Sequence, residues 1–208
     1  MRWVEFIAFY VILPVVLAVA MPHHWFFPVL FAMTAAGAWL LTRTQGFSWA
    51  ELRGGWRGLD WRLLAGFGVL TAVVSTAIVE AFVPGQFLGL VRHNPAFFAV
   101  IVVLYPILSA LPQEVLFRVL YFRRYGAMLP KGAAGLVLNG VVFSLAHLMF
   151  WSWVVSLMTF VGGIIFAWAY EWRGSFALAS ALHAVAGWIL FGVGLGAFFY
   201  LGDVVRPF

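Results

Sequence analysis

Runs of about twenty mostly apolar residues recur along this sequence, and a chain built that way is made to fold in a lipid bilayer. They fall at roughly 3–21, 25–42, 63–83, 96–125, 132–151, 153–171 and 176–194, with an eighth at 195–205. Short breaks of loop chemistry part them, at Pro22 and His23, Gly54 and Gly55, Pro84 and Gly85, Asn94 and Pro95, Leu129 and Pro130, and Arg173 and Gly174. Of the 208 residues, 65% are hydrophobic and 9% charged, against about 45–50% and about 25% in soluble domains. A water-facing globule of this size cannot hide that much apolar side chain. The expectation is an all-α polytopic membrane protein of about eight transmembrane helices, folded as one domain over residues 1–208.

The formal net charge is +5, but the basic residues do not form a nucleic-acid-binding patch, and no nucleic acid is expected as a partner. They sort instead by loop. Arg43, Arg53, Arg57 and Arg62 sit in the second loop, Arg118, Arg123, Arg124 and Lys131 near the fourth loop, and Arg173 in the sixth. The first loop and the one around Trp151 carry none, and the third carries only Arg92. By the positive-inside rule the N-terminus and the basic loops face the cytoplasm, the natural setting being a bacterial cytoplasmic membrane. Residues 46–62, with Trp49, Trp56 and Trp61 among charges, read as an interfacial segment on that face. The first run could pass for a signal peptide, but Glu5, Pro14 and the polytopic remainder favour a retained span. With no cysteine, disulfides and thiolate chemistry are excluded.

Ionisable groups inside a span are costly unless paired or hydrated, so each is a functional suspect. Glu80 lies near the end of its run and can snorkel to the interface. Glu114, Arg118, His147 and His183 cannot. Glu114 and Arg118 are four apart, on one helix face, and can pair; a purely structural pair is the plain alternative. Pro106 and Pro112 precede them, freeing carbonyls and making room for water beside Gln113. Counting residues from the breaks places Glu114 and His183 each about 14 Å from the basic face, and His147 roughly 24 Å from Lys131. Glu114 and His147 lie equally far from the Leu129–Lys131 turn in sequence, so the three groups are expected at one depth on three helices. Asn139, Phe143 and His147 recur at helical spacing, which turns Asn139 inward as well. A carboxylate and two imidazoles converging in an apolar cavity are equipped for general acid–base work.

Gln113, Glu114 and Arg118, then Phe143 through His147, then Ser175 through His183, resemble the three motifs of the CPBP family of CAAX-prenyl-protease and bacteriocin-processing membrane proteins. The resemblance covers about residues 95–195. It implies a glutamic-type intramembrane endopeptidase of eight helices with a site open to the cytoplasm, acting on a membrane-anchored peptide or protein. Carried over, Glu114 is the acid, His147 its partner on the water, His183 the oxyanion donor, and Arg118 the group that orients the acid. Two positions depart from the pattern. Gln113 stands where the family has the first acid of a Glu-Glu pair, and Gly187 stands where it has an Asn donor four residues beyond the last His. Asn139 or a water is the stand-in that the sequence offers. No cofactor or metal is expected; two His and one Glu could hold zinc, but no His-Glu-x-x-His motif supports it. The other class left open is a catalytically impaired family member that uses the cavity for binding, as an immunity-type protein would.

Overall fold

The computed structural model describes residues 2–199. Seven apolar helices carry the chain: α1 (Arg2–Ala20), α2 (Phe26–Thr42), α3 (Trp61–Phe82), α4 (Pro95–Tyr125), α5 (Gly132–Ala146), α6 (Trp153–Glu171) and α7 (Phe176–Val193). Five are long and apolar enough to cross a membrane, α2 and α5 being shorter. There is no strand among the described residues. The protein is a polytopic helical membrane protein. Of the eighth run, Leu195–Phe199 forms a 3₁₀ turn and the remainder lies outside the described residues.

Helix starts are written in the sequence. Asp60, Asn94, Ser152 and Ser175 each accept a hydrogen bond from a backbone N–H of the first turn of α3, α4, α6 and α7, satisfying donors that the helix cannot. Proline shapes the interior of α4. Pro106 has no N–H for the Val102 carbonyl, and the Trp188 indole of α7 donates to that carbonyl instead, at 2.9 Å. From Pro106 to Ala110, and again from Val115 to Tyr125, the helix widens into π turns. Side chains from other helices bond to carbonyls in the second stretch: the Tyr10 hydroxyl donates to Leu116 at 2.7 Å and the Asn139 amide to Phe117 at 2.7 Å.

The core sits in the half of the bundle nearest the basic loops. Tyr10, Leu41, Leu116, Leu120, Tyr121 and Tyr125 are fully buried there. The first helix is bolted into it, since Glu5 pairs with Arg124 at 2.7 Å and the Tyr10 hydroxyl donates to the Leu116 carbonyl. Segment 46–62 makes two 3₁₀ turns with exposed tryptophans, and its Glu51 meets Arg123 at 2.6 Å. The α5–α6 hairpin packs backbone to backbone, and a Cβ built on Gly163 would come within 2.9 Å of the Gly140 Cα.

The other half of the bundle is open. A cavity of about 1090 Å³ is walled by α3, α4, α6 and α7, with the end of α5 and the start of α2. It is floored by Phe67, Gln113, Phe166 and His183. Its rim includes Gln86 and Ala197, both exposed and both at the end of the bundle away from the basic loops. The mouth and the basic loops thus occupy opposite ends.

Candidate active site

Glu114 and Arg118 share the face of α4 that turns toward α7, and both are completely buried. The Arg118 Nε lies 3.3 Å from Glu114 Oε2. Its guanidinium covers the Phe143 ring at 4.4 Å and the Phe166 ring at 5.3 Å, and one amino group reaches the Gly163 carbonyl at 3.4 Å. Aromatic faces attract a cation that water no longer solvates. The second carboxylate oxygen, Oε1, accepts a hydrogen bond from His183 Nδ1 at 2.8 Å. The His183 ring stacks on Phe166, centroids 4.8 Å apart. Arg118, Glu114 and His183 therefore form a chain of charge and hydrogen bond that begins in the packed core. It ends on the cavity wall, which His183 lines and Glu114 does not.

A carboxylate only accepts, so the proton of this hydrogen bond sits on Nδ1. In the neutral ring Nε2 is then the lone-pair nitrogen. A neutral His183 held this way is an acceptor toward the cavity, whereas the oxyanion role that the resemblance implies asks it to donate.

His147 also lines the cavity, but not at the depth of Glu114. It is not part of the helix: α5 ends at Ala146 and His147 turns off with φ −98° and ψ 4°. The Asn139–Phe117 hydrogen bond fixes α4 and α5 in register. From that level Glu114 is three residues toward the mouth and His147 eight, a difference of roughly 7 to 8 Å along the bundle. No ion pair or hydrogen bond joins the two. His147 Nδ1 is 2.8 Å from the Phe143 carbonyl, which again places the proton on Nδ1 and leaves Nε2 the acceptor. What the two histidines share is Phe143, whose ring meets His147 at 4.6 Å and His183 at 5.6 Å edge-on.

Gln113 lies on the cavity floor, its amide nitrogen donating to Ser109 at 2.9 Å and its Oε1 buried without a hydrogen-bond partner. Asn139 is buried behind Phe143 rather than at the cavity, its amide spent on the Phe117 carbonyl. It holds two helices together and is not a stand-in for the missing donor. Glu80 is exposed near the end of α3, where snorkelling was expected.

The residue that sequence reasoning missed is Tyr105. A Cβ built on Gly187 would sit 2.0 Å from the Tyr105 Cε1, so the ring of Tyr105 occupies the space that a side chain at position 187 would need. It lines the cavity, meets the His183 ring edge-on at 6.1 Å, and its hydroxyl makes no hydrogen bond to another described residue. A tyrosine immediately before a mid-span proline was the available signal. Among the described residues no cluster of three or more His, Cys, Asp and Glu is disposed to hold a metal ion.

Residues 94–189 match the family model of the type II CAAX prenyl endopeptidase, Rce1-like. That match supports assigning the chain to the CPBP family. That match spans α4 to most of α7 and contains Gln113, Glu114, Arg118, Asn139, His147 and His183. Comparison with curated proteins and with solved structures gave no match. CPBP proteins of this type are membrane proteases, so a bilayer and a peptide substrate are the general setting for this fold.

Proposed function

We propose that this CPBP chain is an intramembrane endopeptidase that hydrolyses a peptide bond of a membrane-anchored substrate, with water activated by the Glu114–His183 pair and by His147. The core of the activity is the stretch 95–195 within one helical domain of residues 1–208. The observation that supports this reading best is the buried Arg118–Glu114–His183 chain ending on a cavity wall. In this reading a water on the cavity floor gives a proton to His183 Nε2. Glu114 holds the ring in the right tautomer and stabilises the imidazolium that forms, as a carboxylate does for a catalytic histidine in serine proteases. The hydroxide attacks the scissile carbonyl carbon. His183 then returns the proton to the leaving amine, so acid and amine products balance. His147, with its own Nε2 lone pair, holds the water from the mouth side. The Tyr105 hydroxyl, which makes no hydrogen bond to another described residue, donates to the carbonyl oxygen as it becomes negative, a role usually worth about 3–4 kcal/mol of barrier.

The test is cleavage of a membrane-anchored peptide by the purified protein in liposomes. Glu114→Gln and His147→Ala each abolish cleavage while the protein still folds and elutes as the wild type. Wild-type-like rates in either variant overturn the mechanism. A second reading, a binding protein with an impaired site, is favoured by one feature: Gln113 is an amide bonded to Ser109 where the family pattern has an acid. Cleavage seen with Gln113→Glu but not with the wild type decides for that reading.

A further inference from the structure

Two polar side chains of the cavity wall take no part in the mechanism above. Ser109 and Gln113 lie four residues apart on α4, on the stripe that begins with Tyr105, and both line the cavity. They are only 7% and 6% exposed. The Gln113 amide nitrogen donates to the Ser109 oxygen at 2.9 Å. This bond fixes which way the amide faces, with its nitrogen spent on Ser109 and its oxygen turned elsewhere. That oxygen, Oε1, is buried and has no hydrogen-bond partner among the described residues. The Ser109 hydroxyl, which accepts from Gln113, donates its own proton to no other described residue.

A buried polar atom without a partner is costly, and one on a cavity wall calls for a partner in the occupant. The rest of the floor is Phe67, Phe166 and His183, so the pair offers its bonds in a mostly apolar setting, where a hydrogen bond counts for more than in water. Gln113 is also the chain neighbour of Glu114, whose carboxylate holds His183 at 2.8 Å. The pair therefore sits beside the groups that would meet a scissile bond. An acceptor next to a donor matches one edge of an extended chain, where the N–H and C=O of a single residue point the same way.

We propose that Ser109 and Gln113 form a subsite for the substrate backbone, in which Gln113 Oε1 accepts the N–H, and the Ser109 hydroxyl donates to the C=O, of one residue beside the scissile bond. The segment bound there is extended and is read through its backbone rather than a side chain. Proline is excluded at that residue, because it has no N–H to give. An amide at 113 is a neutral acceptor that takes no proton from water, so in this chain the position reads substrate. The proposal rests on the peptidase reading for the cleavage that follows, but not for the binding.

The test presents the full wild-type chain in liposomes with a lipid-anchored decapeptide of alanine and leucine. A matching set of peptides has each peptide unit except the scissile one replaced in turn by an ester, which puts an oxygen where the N–H was and changes the shape little. Replacement at one position beside the scissile bond is expected to lower kcat/KM about tenfold, the scale of one buried acceptor left unpaired. In Gln113→Met that penalty is expected to vanish, amide and ester being cleaved alike, and in Ser109→Ala, where the amide is free to turn, it is expected to shrink. The Ser109→Ala result decides if Gln113→Met does not fold. Equal cleavage of every ester by the wild type, or a penalty undiminished in the variants, overturns the subsite and leaves the peptidase reading standing. If no peptide is cleaved, the affinity of the same set for the wild type is read by fluorescence anisotropy. Binding weakened about tenfold by one ester then supports the subsite and overturns the peptidase reading, whereas binding that no ester weakens, or no binding, overturns both.

Discussion

The two ends of this bundle are made from the same helices, and they differ in how they treat polar groups. At the basic end Tyr10, Glu5, Arg124 and Tyr125 are drawn into contacts with one another or with backbone, and the space between helices is filled. At the mouth end the helices splay around an apolar cavity whose polar atoms, in Gln113, Tyr105 and the two histidines, keep bonding capacity in reserve. Glu114 and Arg118 stand at the boundary, anchored on one side and presenting His183 on the other. The difference teaches that stability and chemistry are separated along the membrane normal. Substitutions at one end should act on folding, and those at the other on turnover.

That separation can be broken by experiment, beginning with the largest effect. Glu114→Gln keeps the shape of the relay but removes the charge that supports a protonated His183, and cleavage should fall at least a thousandfold, on the scale of losing an oriented general base. Its melting temperature should change far less than that of Arg118→Ala. Removing Arg118 leaves a buried carboxylate without its cation, which costs about 3–5 kcal/mol, so Arg118→Ala should fail to accumulate or melt much earlier in detergent. A well-folded Arg118→Ala would show that the boundary residue belongs to the active half alone.

Tyr105→Phe is expected to lower kcat by about 10²–10³ with KM little changed, as for other single oxyanion donors. The same loss should follow Gly187→Ala, whose methyl group displaces the ring. At the closed end Tyr10→Phe removes the buried hydrogen bond to the Leu116 carbonyl, costing about 0.5–1.5 kcal/mol in thermal unfolding and nothing in kcat. The smallest effect belongs to Arg123→Ala, which loses a pair exposed on both sides and should shift stability by less than about 1 kcal/mol. If Tyr10→Phe slowed cleavage as much as Tyr105→Phe, the two ends would not be separate.

How much of this was legible follows from what lipid penalises. Apolar runs are compulsory for a spanning helix, so the seven described helices could be read off the sequence to within a few residues. Glu114, Arg118 and His183 stood out for the same reason, since an ionisable group in a span must have a partner. The depth of His147 was not legible, because periodicity carried the Asn139–Phe143–His147 stripe past the point where α5 ends at Ala146. Asn139 was rightly turned inward, yet inward there means the Phe117 carbonyl of a π-helical stretch, and a regular helical wheel does not show which carbonyls a widened helix leaves open. Phe166 was silent because an aromatic ring costs nothing in lipid, and Tyr105 offered only its place before Pro106. The direction of the cavity was hidden too, since splaying is a property of helix pairs and not of any one run.

The fit between Gly187 and the Tyr105 ring also constrains how this protein can change over generations. Anything larger than hydrogen at 187 evicts the phenol, and anything smaller than a ring at 105 leaves a hole beside His183. Neither position can drift alone without disturbing the wall, so the pair is inherited as a unit. Among relatives, a side chain that returns at 187 should arrive together with a small residue at 105.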